Sequence, residues 1–199
     1  MHIVGKGIAK LDGIAIATGK PVYTDDLAMP NALVIKILRS PHAFAKITSI
    51  DISKAEKLDG VECILTYKDV PNIRYTSAGQ SYPEPSPYDR LILDQVVRYV
   101  GDEVAIIAAA GEKTALKAAG LIKVEYEVWD PVLDFEKAVG HPSIVHPEDD
   151  LHCNFDIGLK QEKNIASMHK VEVGDVEEEL RKCAVLVEET YYTQAQAQA

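Results

Sequence analysis

The sequence predicts an α+β fold in which helices pack on a mixed β-sheet. Two segments, residues 33–66 and residues 103–129, share the plan strand, helix, strand. The chain has 199 residues, of which 47% are apolar and 26% are charged. That balance is typical of a globular protein and excludes wholesale disorder. The crossovers alone leave parallel and antiparallel pairing of the strands open.

The first segment begins with the mostly apolar run 33–38, Leu-Val-Ile-Lys-Ile-Leu, which predicts a strand. Ser53-Lys-Ala-Glu56 has the spacing of a capping box, in which the two side chains satisfy free N–H groups at a helix start. Gly60 suits the position that follows a helix, and residues 61–66 predict a second buried strand. We therefore expect a short helix between the two strands.

The second segment repeats this plan with a stronger helix signal. Residues 103–110 form an apolar run, and residues 112–119 are good helix formers that end at Gly120. Apolar and polar side chains then alternate over residues 121–129, which is the period of a half-buried strand.

Turns and loops separate these segments. Gly101-Asp102 lies between the strand-like runs 96–100 and 103–107, and this pair predicts a two-residue hairpin with positive φ at Gly101. Residues 69–90 contain four prolines and predict a long irregular loop. Loops of that length inside a compact domain are usually functional, interfacial or disordered.

The last third of the chain has a different character. Prolines and isolated polar residues over residues 130–170 indicate an extended connector. Asp175 and Glu178 make a second capping box, after which Val176, Leu180 and Cys183 fall on one helical face. Residues 185–193 predict a strand. No turn or cap follows it, and the pattern is that of a domain that continues.

Charge and cysteine usage exclude several classes of protein. Lys and Arg number 21 against 31 Asp and Glu, which gives a formal net charge of −10. An acidic surface repels phosphate backbones, so we expect no nucleic-acid partner. The longest apolar run, residues 104–110, is far short of the about 20 residues that cross a bilayer, so we expect no membrane partner. Three widely spaced cysteines predict reduced thiols and a cytoplasmic location.

No group of residues in the sequence assembles a recognisable active site. The side chains with metal-binding chemistry lack the regular spacing that places two ligands on one ion: His141, His146, His152 and Cys153. His42 follows a strand without a second member of a triad, and the neighbouring acids Asp25 and Asp26 would face opposite ways if extended. We therefore assign no catalytic, cofactor-binding or metal-binding residue.

Several short motifs nevertheless follow one another in a fixed order over most of residues 1–140. They are Thr18-Gly-Lys-Pro-Val-Tyr-Thr-Asp-Asp-Leu27, Leu38-Arg-Ser-Pro-His-Ala-Phe-Ala-Lys-Ile47, Ile50-Asp51, Gly60-Val61, Asp69-Val-Pro71, Val97-Arg-Tyr-Val-Gly-Asp-Glu-Val-Ala105, Val124-Glu-Tyr-Glu127 and Pro131-Val132. This order resembles the opening of the large molybdopterin-binding subunit of the xanthine dehydrogenase and aldehyde oxidase family. Later, Gly174-Asp-Val176 and residues 187–194 resemble the first pieces of that family's molybdopterin domain.

The resemblance implies an α/β hammerhead domain over residues 1–135, a connector over residues 136–170 and a truncated start of the molybdopterin domain over residues 171–199. It implies a part of a molybdenum hydroxylase that inserts a water-derived oxygen into a purine, another N-heterocycle or an aldehyde. The implied cofactors of the full enzyme are molybdenum-molybdopterin, with iron–sulfur clusters and FAD on partner subunits or domains. No cofactor is expected on these 199 residues, since the family's catalytic residues lie in later domains.

Two further expectations complete the sequence interpretation. The alternative to a hydroxylase part is a stand-alone, non-catalytic protein-interaction module with a hammerhead fold. In the truncated chain, the apolar face of the helix after Asp175 has its partner in the missing sequence, and the strand at residues 185–193 is open, so we expect the fragment to self-associate. The implied partners are therefore the iron–sulfur and FAD subunits or domains, the later molybdopterin domains, a small-molecule substrate and a second copy of this chain.

Overall fold

The computed structural model describes residues 4–27, 29–77, 79, 81–194 and 196. The strands are β1 (Val34–Arg39), β2 (Ala45–Asp51), β3 (Val61–Thr66), β4 (Val96–Val97), β5 (Glu103–Ala109) and β6 (Lys123–Val128). The α-helices are α1 (Gly13–Ala17), α2 (Glu112–Leu121) and α3 (Val176–Lys182). Short 3₁₀ turns lie at Thr24–Leu27, Phe135–Lys137 and Gln161–Lys163.

The strands form two small sheets of three strands each. The first sheet has the order β1-β5-β3 and the second has the order β4-β2-β6. The predicted α+β class is confirmed by this arrangement. One detail differs from the sequence prediction, because every strand pair between these elements is antiparallel and neither sheet is mixed.

One apolar core lies between the first sheet and α2. Ala115 and Ala118 of the helix are fully buried against the alternate β5 residues Ala105, Ile107 and Ala109. These small helix residues allow close contact between the helix and the sheet, which suits the dense packing of protein interiors. A second cluster forms around Ile47, Val97 and Val104 and joins the two sheets.

The helix predicted from Ser53 is absent, and the prediction was wrong. Residues 53–60 form successive turns, in which the Glu56 N–H donates to the Ile52 carbonyl at 3.0 Å. Asp51 provides the cap instead, since its Oδ1 accepts from the Ser53 N–H at 2.9 Å. Few residues separate β2 from the positive-φ Gly60, so the chain completes only a helical turn before β3 begins.

The predicted hairpin at Gly101-Asp102 is also wrong, although Gly101 has the expected positive φ of 99°. The flanking strands β4 and β5 do not pair with each other, because they belong to different sheets. The turn instead carries the chain from one sheet to the other. It is held by Ser40, whose carbonyl accepts from the Gly101 N–H and whose N–H donates to the Asp102 carbonyl, both at 2.8 Å.

The two long irregular segments are packed together. The 69–90 stretch contains no helix or strand among its described residues, as predicted, and its Tyr75 forms an isolated bridge with Arg90. Tyr88 bridges to His152, so the predicted connector lies against the loop. The connector has no regular element longer than the two 3₁₀ turns.

The tail agrees with the sequence in its helix and disagrees in its strand. The Asp175 carboxylate accepts from the Glu178 N–H at 2.9 Å and caps α3 as predicted. The strand predicted over residues 185–193 is not formed, because none of the described strands offers it a hydrogen-bonding partner. Every described residue from 166 to 194 is exposed. No helix in the described parts of the chain is long and apolar enough to cross a membrane.

Candidate functional site

Arg98 lies at the centre of a network of charged groups between the β4–β5 turn and the connector. Its side chain is only 11% exposed. Its Nη1 donates to Asp94 Oδ2 at 2.8 Å and to the Val96 carbonyl at 3.0 Å. Its backbone N–H donates to Asp102 Oδ2 at 2.7 Å. Residues close to Arg98 in the sequence therefore already fix the position of its guanidinium.

The other two guanidinium nitrogens of Arg98, Nε and Nη2, contact the connector. Nε donates to the Val145 carbonyl at 3.1 Å, and Nη2 forms an ion pair with Glu148, whose side chain is also largely buried. Arginine suits this position because its planar fork binds several acceptors at once. Arg74 adds a second link between the 69–90 loop and the connector, with its Nε 2.6 Å from Asp150 Oδ1.

His146 faces the same network and is neutral at pH 7. Burial lowers its pKa to about 4, and the nearby positive charge of Arg98 contributes further. Its Nδ1 lies 3.4 Å from Glu148 Oε2, and its Nε2 lies 4.0 Å from Asp89 Oδ2. Protonation of His146 would place a positive charge in a partly desolvated environment, and this would destabilise the fold.

A second network of hydrogen-bonded polar side chains lies where Arg39 of β1 is opposite Glu103 of β5, at one end of these strands. Arg39 donates to the Gly101 carbonyl at 2.7 Å and to Glu103 Oε1 at 3.0 Å. The Tyr99 hydroxyl donates to Glu103 Oε2 at 3.1 Å and accepts from Arg90 at 3.2 Å. Burial acts to raise the pKa of Glu103, but the hydrogen bonds from Arg39 and Tyr99 act against it, and the net shift is downward. Glu103 therefore stays ionised as an anchor.

Burial raises the pKa of Asp102, and the N–H groups of Arg98 and Glu103 counteract this by donating to its carboxylate. The carboxylate thereby accepts hydrogen bonds at both ends of the turn around Gly101. The role that follows from these contacts is to hold the turn, rather than to exchange protons with a bound molecule.

A small cavity of about 130 Å³, with charged and apolar side chains in its wall, lies between these two networks. Its carboxylates are Asp89, Asp94, Asp102 and Glu103. The guanidiniums in its wall, Arg90 and Arg98, are already paired with carboxylates. A phosphate-bearing pterin needs donors that are free to bind an anion. The residues around this cavity therefore do not fit a molybdopterin, and no reaction step is assigned to them.

A larger, mostly apolar cavity of about 380 Å³ lies under the connector. Its wall includes Val132, Leu151 and Ile165, with His146 where it approaches the polar network. Asn164 shapes this wall: its Oδ1 accepts from the Val145 N–H, and its Nδ2 donates to the carbonyls of Ala138 and Ser143. The amide is used for folding the connector rather than for binding a molecule in the cavity.

The histidines and cysteine that the sequence singled out are not brought together. His141 lies 3.8 Å from Asp130, His146 lies in the Arg98 network, and His152 stacks on Tyr88 with ring centroids 4.8 Å apart. Burial raises the pKa of the Cys153 thiol. No cluster of three or more such side chains is arranged to hold a metal ion in the part of the chain that the structure describes.

The remaining candidates have structural contacts. The His42 ring lies edge-on to Tyr126, with centroids 4.8 Å apart, and its backbone N–H donates to the Ser40 hydroxyl. Asp25 and Asp26 are not extended, because they lie in a 3₁₀ turn where the Asp26 carboxylate accepts from the Tyr23 N–H at 2.9 Å. The sequence signal for this cap is the spacing, because Asp26 stands three residues after Tyr23, whose N–H it accepts from.

Sequence reasoning missed the Arg98 network as a site. Arg98 and Glu148 are distant in the sequence, and a pair at long separation has no periodic signal. The proline-rich composition of the connector suggested exposure, while the structure makes Glu148 one of the more buried acids. The motif Val97-Arg-Tyr-Val-Gly-Asp-Glu was the one available indication, since it contains four side chains of the two networks.

Comparison with known proteins gives this arrangement its context. The aldehyde oxidase and xanthine dehydrogenase family, a/b hammerhead domain, matches residues 18–130. The chain is 40% identical over 221 aligned residues to a probable hypoxanthine oxidase, XdhD, of Escherichia coli, covering 98% of this chain and 23% of that protein. It is 40% identical to the xanthine dehydrogenase molybdenum-binding subunit of Escherichia coli over 122 residues, which is 59% of this chain and 16% of that subunit.

Solved structures of oxidoreductases also match this chain. The aldehyde oxidoreductase from Desulfovibrio desulfuricans matches with a TM-score of 0.62 and 31% identity, covering 73% of this chain and 17% of that one. Quinoline 2-oxidoreductase from Pseudomonas putida matches with a TM-score of 0.54 and 33% identity, covering 67% of this chain and 17% of that one. This chain spans less than a quarter of the relatives it matches here. The chain belongs to the aldehyde oxidase and xanthine dehydrogenase family, whose hammerhead domain it matches over residues 18–130.

Proposed function

We propose that this chain supplies the hammerhead part of a molybdenum hydroxylase. The observation that carries the proposal is the 40% identity to a probable hypoxanthine oxidase across 98% of the chain. The substrate class that we propose is a purine, another N-heterocycle or an aldehyde, with a purine such as xanthine or hypoxanthine first. In such an enzyme, the molybdenum-molybdopterin centre supplies the oxidising chemistry when bound.

We propose a structural role for the residues of this chain within that enzyme. The charged groups at Arg98 and Glu103 are used in internal pairs, which supports the proposal that they hold the domain together. Iron–sulfur clusters and FAD, on partner subunits or domains, are the electron carriers that we propose for the whole enzyme. We place none of these groups on residues of this chain.

The domain boundaries and the cellular location are also proposals. We propose a hammerhead domain over residues 1–135, a connector over residues 136–170 and a start of the molybdopterin domain over residues 171–199. The many contacts of residues 145–152 with the hammerhead support a connector that is docked rather than free. We propose a cytoplasmic location, with later molybdopterin domains of the same chain as partners in the enzyme and self-association for the isolated 199-residue fragment.

A segment exchange tests this function. Residues 1–199 replace the aligned segment of the Escherichia coli hypoxanthine oxidase homologue, and the chimera is purified and assayed for molybdenum content and hypoxanthine oxidation. We expect both to be retained. A control chimera carrying Arg98→Ala should lose both, because its hammerhead is destabilised. A folded chimera with a native-like melting temperature and no molybdenum would refute the proposal.

Metal analysis of the purified 199-residue chain should find no stoichiometric molybdenum, whereas stoichiometric metal would contradict a purely structural role. Reading the source gene beyond codon 199 separates this proposal from the alternative, an interaction module without a hydroxylase attached. Further codons with molybdopterin motifs support the hydroxylase, and a stop codon supports the module.

A further inference from the structure

None of the described residues donates a hydrogen bond to the carboxylate of Asp89. The Asp89 side chain is 33% exposed, so water reaches only part of it. Its backbone carbonyl accepts from Arg74 Nη1 at 3.4 Å, which leaves the carboxylate itself without a donor. A partly buried carboxylate is stabilised by each hydrogen bond that it accepts. Asp89 can therefore accept a hydrogen bond from a bound molecule.

His146 presents a second acceptor beside Asp89. Its Nδ1 lies 3.4 Å from Glu148 Oε2, and its Nε2 lies 4.0 Å from Asp89 Oδ2. The imidazole is neutral at pH 7, because burial lowers its pKa to about 4. The nearer carboxylate, that of Glu148, favours the tautomer with the hydrogen on Nδ1, which leaves a lone pair on Nε2. Nε2 and Asp89 Oδ2 are then two neighbouring acceptors without a donor between them.

Asp89 and His146 lie in the walls of both cavities described above. The larger cavity, of about 380 Å³, is within the range of about 300–1,000 Å³ that is typical of small-molecule sites. Such sites combine an apolar wall with a few polar groups that orient the ligand. The amide side chains in this wall are already hydrogen-bonded to the backbone of the connector: Gln161 and Asn164. Asp89 and His146 are therefore the polar groups that remain to orient a ligand.

The charge around these two acceptors favours a cation. Two guanidiniums act on His146, and both are paired with other carboxylates: Arg74 with Asp150, and Arg98 with Asp94 and Glu148. Asp89 adds a further carboxylate, so the negative charges outnumber the positive ones here. The net charge of −10 on the whole chain adds to the attraction of a cation. An ammonium group suits this charge, whereas a carboxylate or a phosphate would be repelled.

One nitrogen can reach both acceptors. A nitrogen donor and its acceptor are about 2.9 Å apart, so a nitrogen between Asp89 Oδ2 and His146 Nε2 can contact both across their separation of 4.0 Å. We propose that the larger cavity binds a small organic amine, whose ammonium donates to Asp89 and His146 and whose one or two rings lie against the apolar wall. The site is independent of the hydroxylase function proposed above, because binding requires no molybdenum.

A set of related probes tests the two parts of the site on the full chain. Naphthylmethylamine has both the rings and the ammonium, naphthylmethanol has a hydroxyl in place of the ammonium, and methylamine lacks the rings. We titrate each probe at pH 7 and follow the methyl NMR signals of residues in the cavity wall: Val132, Leu151 and Ile165. We expect saturable shifts with naphthylmethylamine and binding that is at least about tenfold weaker for each of the other probes.

The variant Asp89→Asn tests the carboxylate. This substitution keeps the shape of the side chain and removes its charge, so we expect the dissociation constant of naphthylmethylamine to rise at least about tenfold. Asp149→Asn is the matched control, because it removes the same charge from an exposed residue of the connector that lies outside the wall of this cavity. We expect the control to change the dissociation constant by less than about twofold, since exposed charges are screened.

The melting temperature of each variant shows whether it is folded. If Asp89→Asn does not fold, the comparison of the amine with the alcohol on the unchanged chain decides. Absence of saturable shifts up to about 10 mM naphthylmethylamine would overturn the proposal, since water alone would then lie between Asp89 and His146. Equal affinity for the amine and the alcohol would overturn it as well, and so would equal weakening by the two variants. An Nε2 signal of His146 that stays unchanged at saturation would refute the contact with the ammonium.

Discussion

The guanidinium of Arg98 forms a buried ion pair with the carboxylate of Glu148, and this pair joins the hammerhead to the connector. The two side chains are 11% and 17% exposed. Burial removes both charges from water, so each depends on the other and on the hydrogen bonds around it. The connector is consequently part of the folded unit around β4, despite its proline-rich composition.

Arg98→Ala should destabilise the chain by about 3–5 kcal/mol, because it leaves Glu148 and Asp94 without their cation in a largely buried place. The free energy of unfolding in urea gives the measurement. Arg181→Ala is the control, since Arg181 is exposed on α3, and its effect should stay within about 0.5 kcal/mol.

The double variant Arg98→Met with Glu148→Gln isolates the pair. Removing both charges should restore part of the stability that Arg98→Met alone loses, because no uncompensated charge remains on Glu148. If the two single losses simply add in the double variant, Arg98 and Glu148 are not coupled and the connector is held in some other way.

His146 should make stability depend on pH between about 6.5 and 4. Its pKa is lowered to about 4 in the fold, chiefly by burial, so the unfolded chain binds this proton first as the pH falls. Its contribution is fully present above pH 6.5 and is lost as the pH falls toward 4. After allowance for solvent screening, we expect a loss of about 2 kcal/mol.

His146→Gln removes that dependence, and the difference between the two proteins is the quantity to measure. Urea unfolding at several pH values should show the stability of the native chain falling relative to that of the variant as the pH falls from 6.5 to 4. The groups that face His146 are present in both proteins and largely cancel in the difference: Asp89, Asp94, Arg98, Arg74 and Glu148. Parallel curves over this range would contradict a neutral, buried His146.

Gly101 should be sensitive to any side chain, although the hairpin that suggested this is absent. Its φ of 99° disfavours a Cβ, and among the described residues no atom beyond the two chain neighbours lies within 4 Å of the place where that Cβ would stand. The cost is therefore one of backbone conformation, about 1 kcal/mol or more for Gly101→Ala and larger for Gly101→Val. The melting temperature should fall for both.

Gly120→Ala is the matched control for Gly101. Gly120 lies inside α2, and a Cβ there also meets open space. Because alanine favours the helix, this variant should be more stable by about 0.5–1 kcal/mol. Opposite signs for the two glycines are expected. An unchanged melting temperature for Gly101→Val would mean that the turn relaxes to an ordinary conformation.

Local patterns predicted the elements whose signals are periodic or capped. Strands β3, β5 and β6, helix α2 and the Asp175 cap follow directly from alternation, helix formers and an acid at the N-cap. The division into two sheets has no such signal, because it depends on Ser40 holding the turn at Gly101. The helix predicted from Ser53 does not form, because the segment between Ser53 and the positive-φ Gly60 has room for only about one helical turn.

Local sequence patterns could not predict the charged networks either, because Arg98 and Glu148 are distant in the sequence. Glu148 reads as part of an acidic, exposed run, and only the folded connector brings it to Arg98. The strand expected at residues 185–193 failed in the opposite direction. Its alternating residues suit a strand, but strand formation requires a neighbour, and none of the described strands pairs with it.

Hydrogen exchange should separate the tail from the core. The amides of β5 form ladders with both β1 and β3 and lie in the buried core, so they should exchange only through global unfolding. Residues 184–194 are exposed and have no strand partner, so their amides should exchange within seconds at low protein concentration. Concentrating the chain should slow exchange over α3 if copies associate through it, and the Leu180→Lys variant should remove that slowing. Protection of residues 184–194 that is strong and independent of concentration would show that the tail packs on its own chain, contrary to its exposure in this structure.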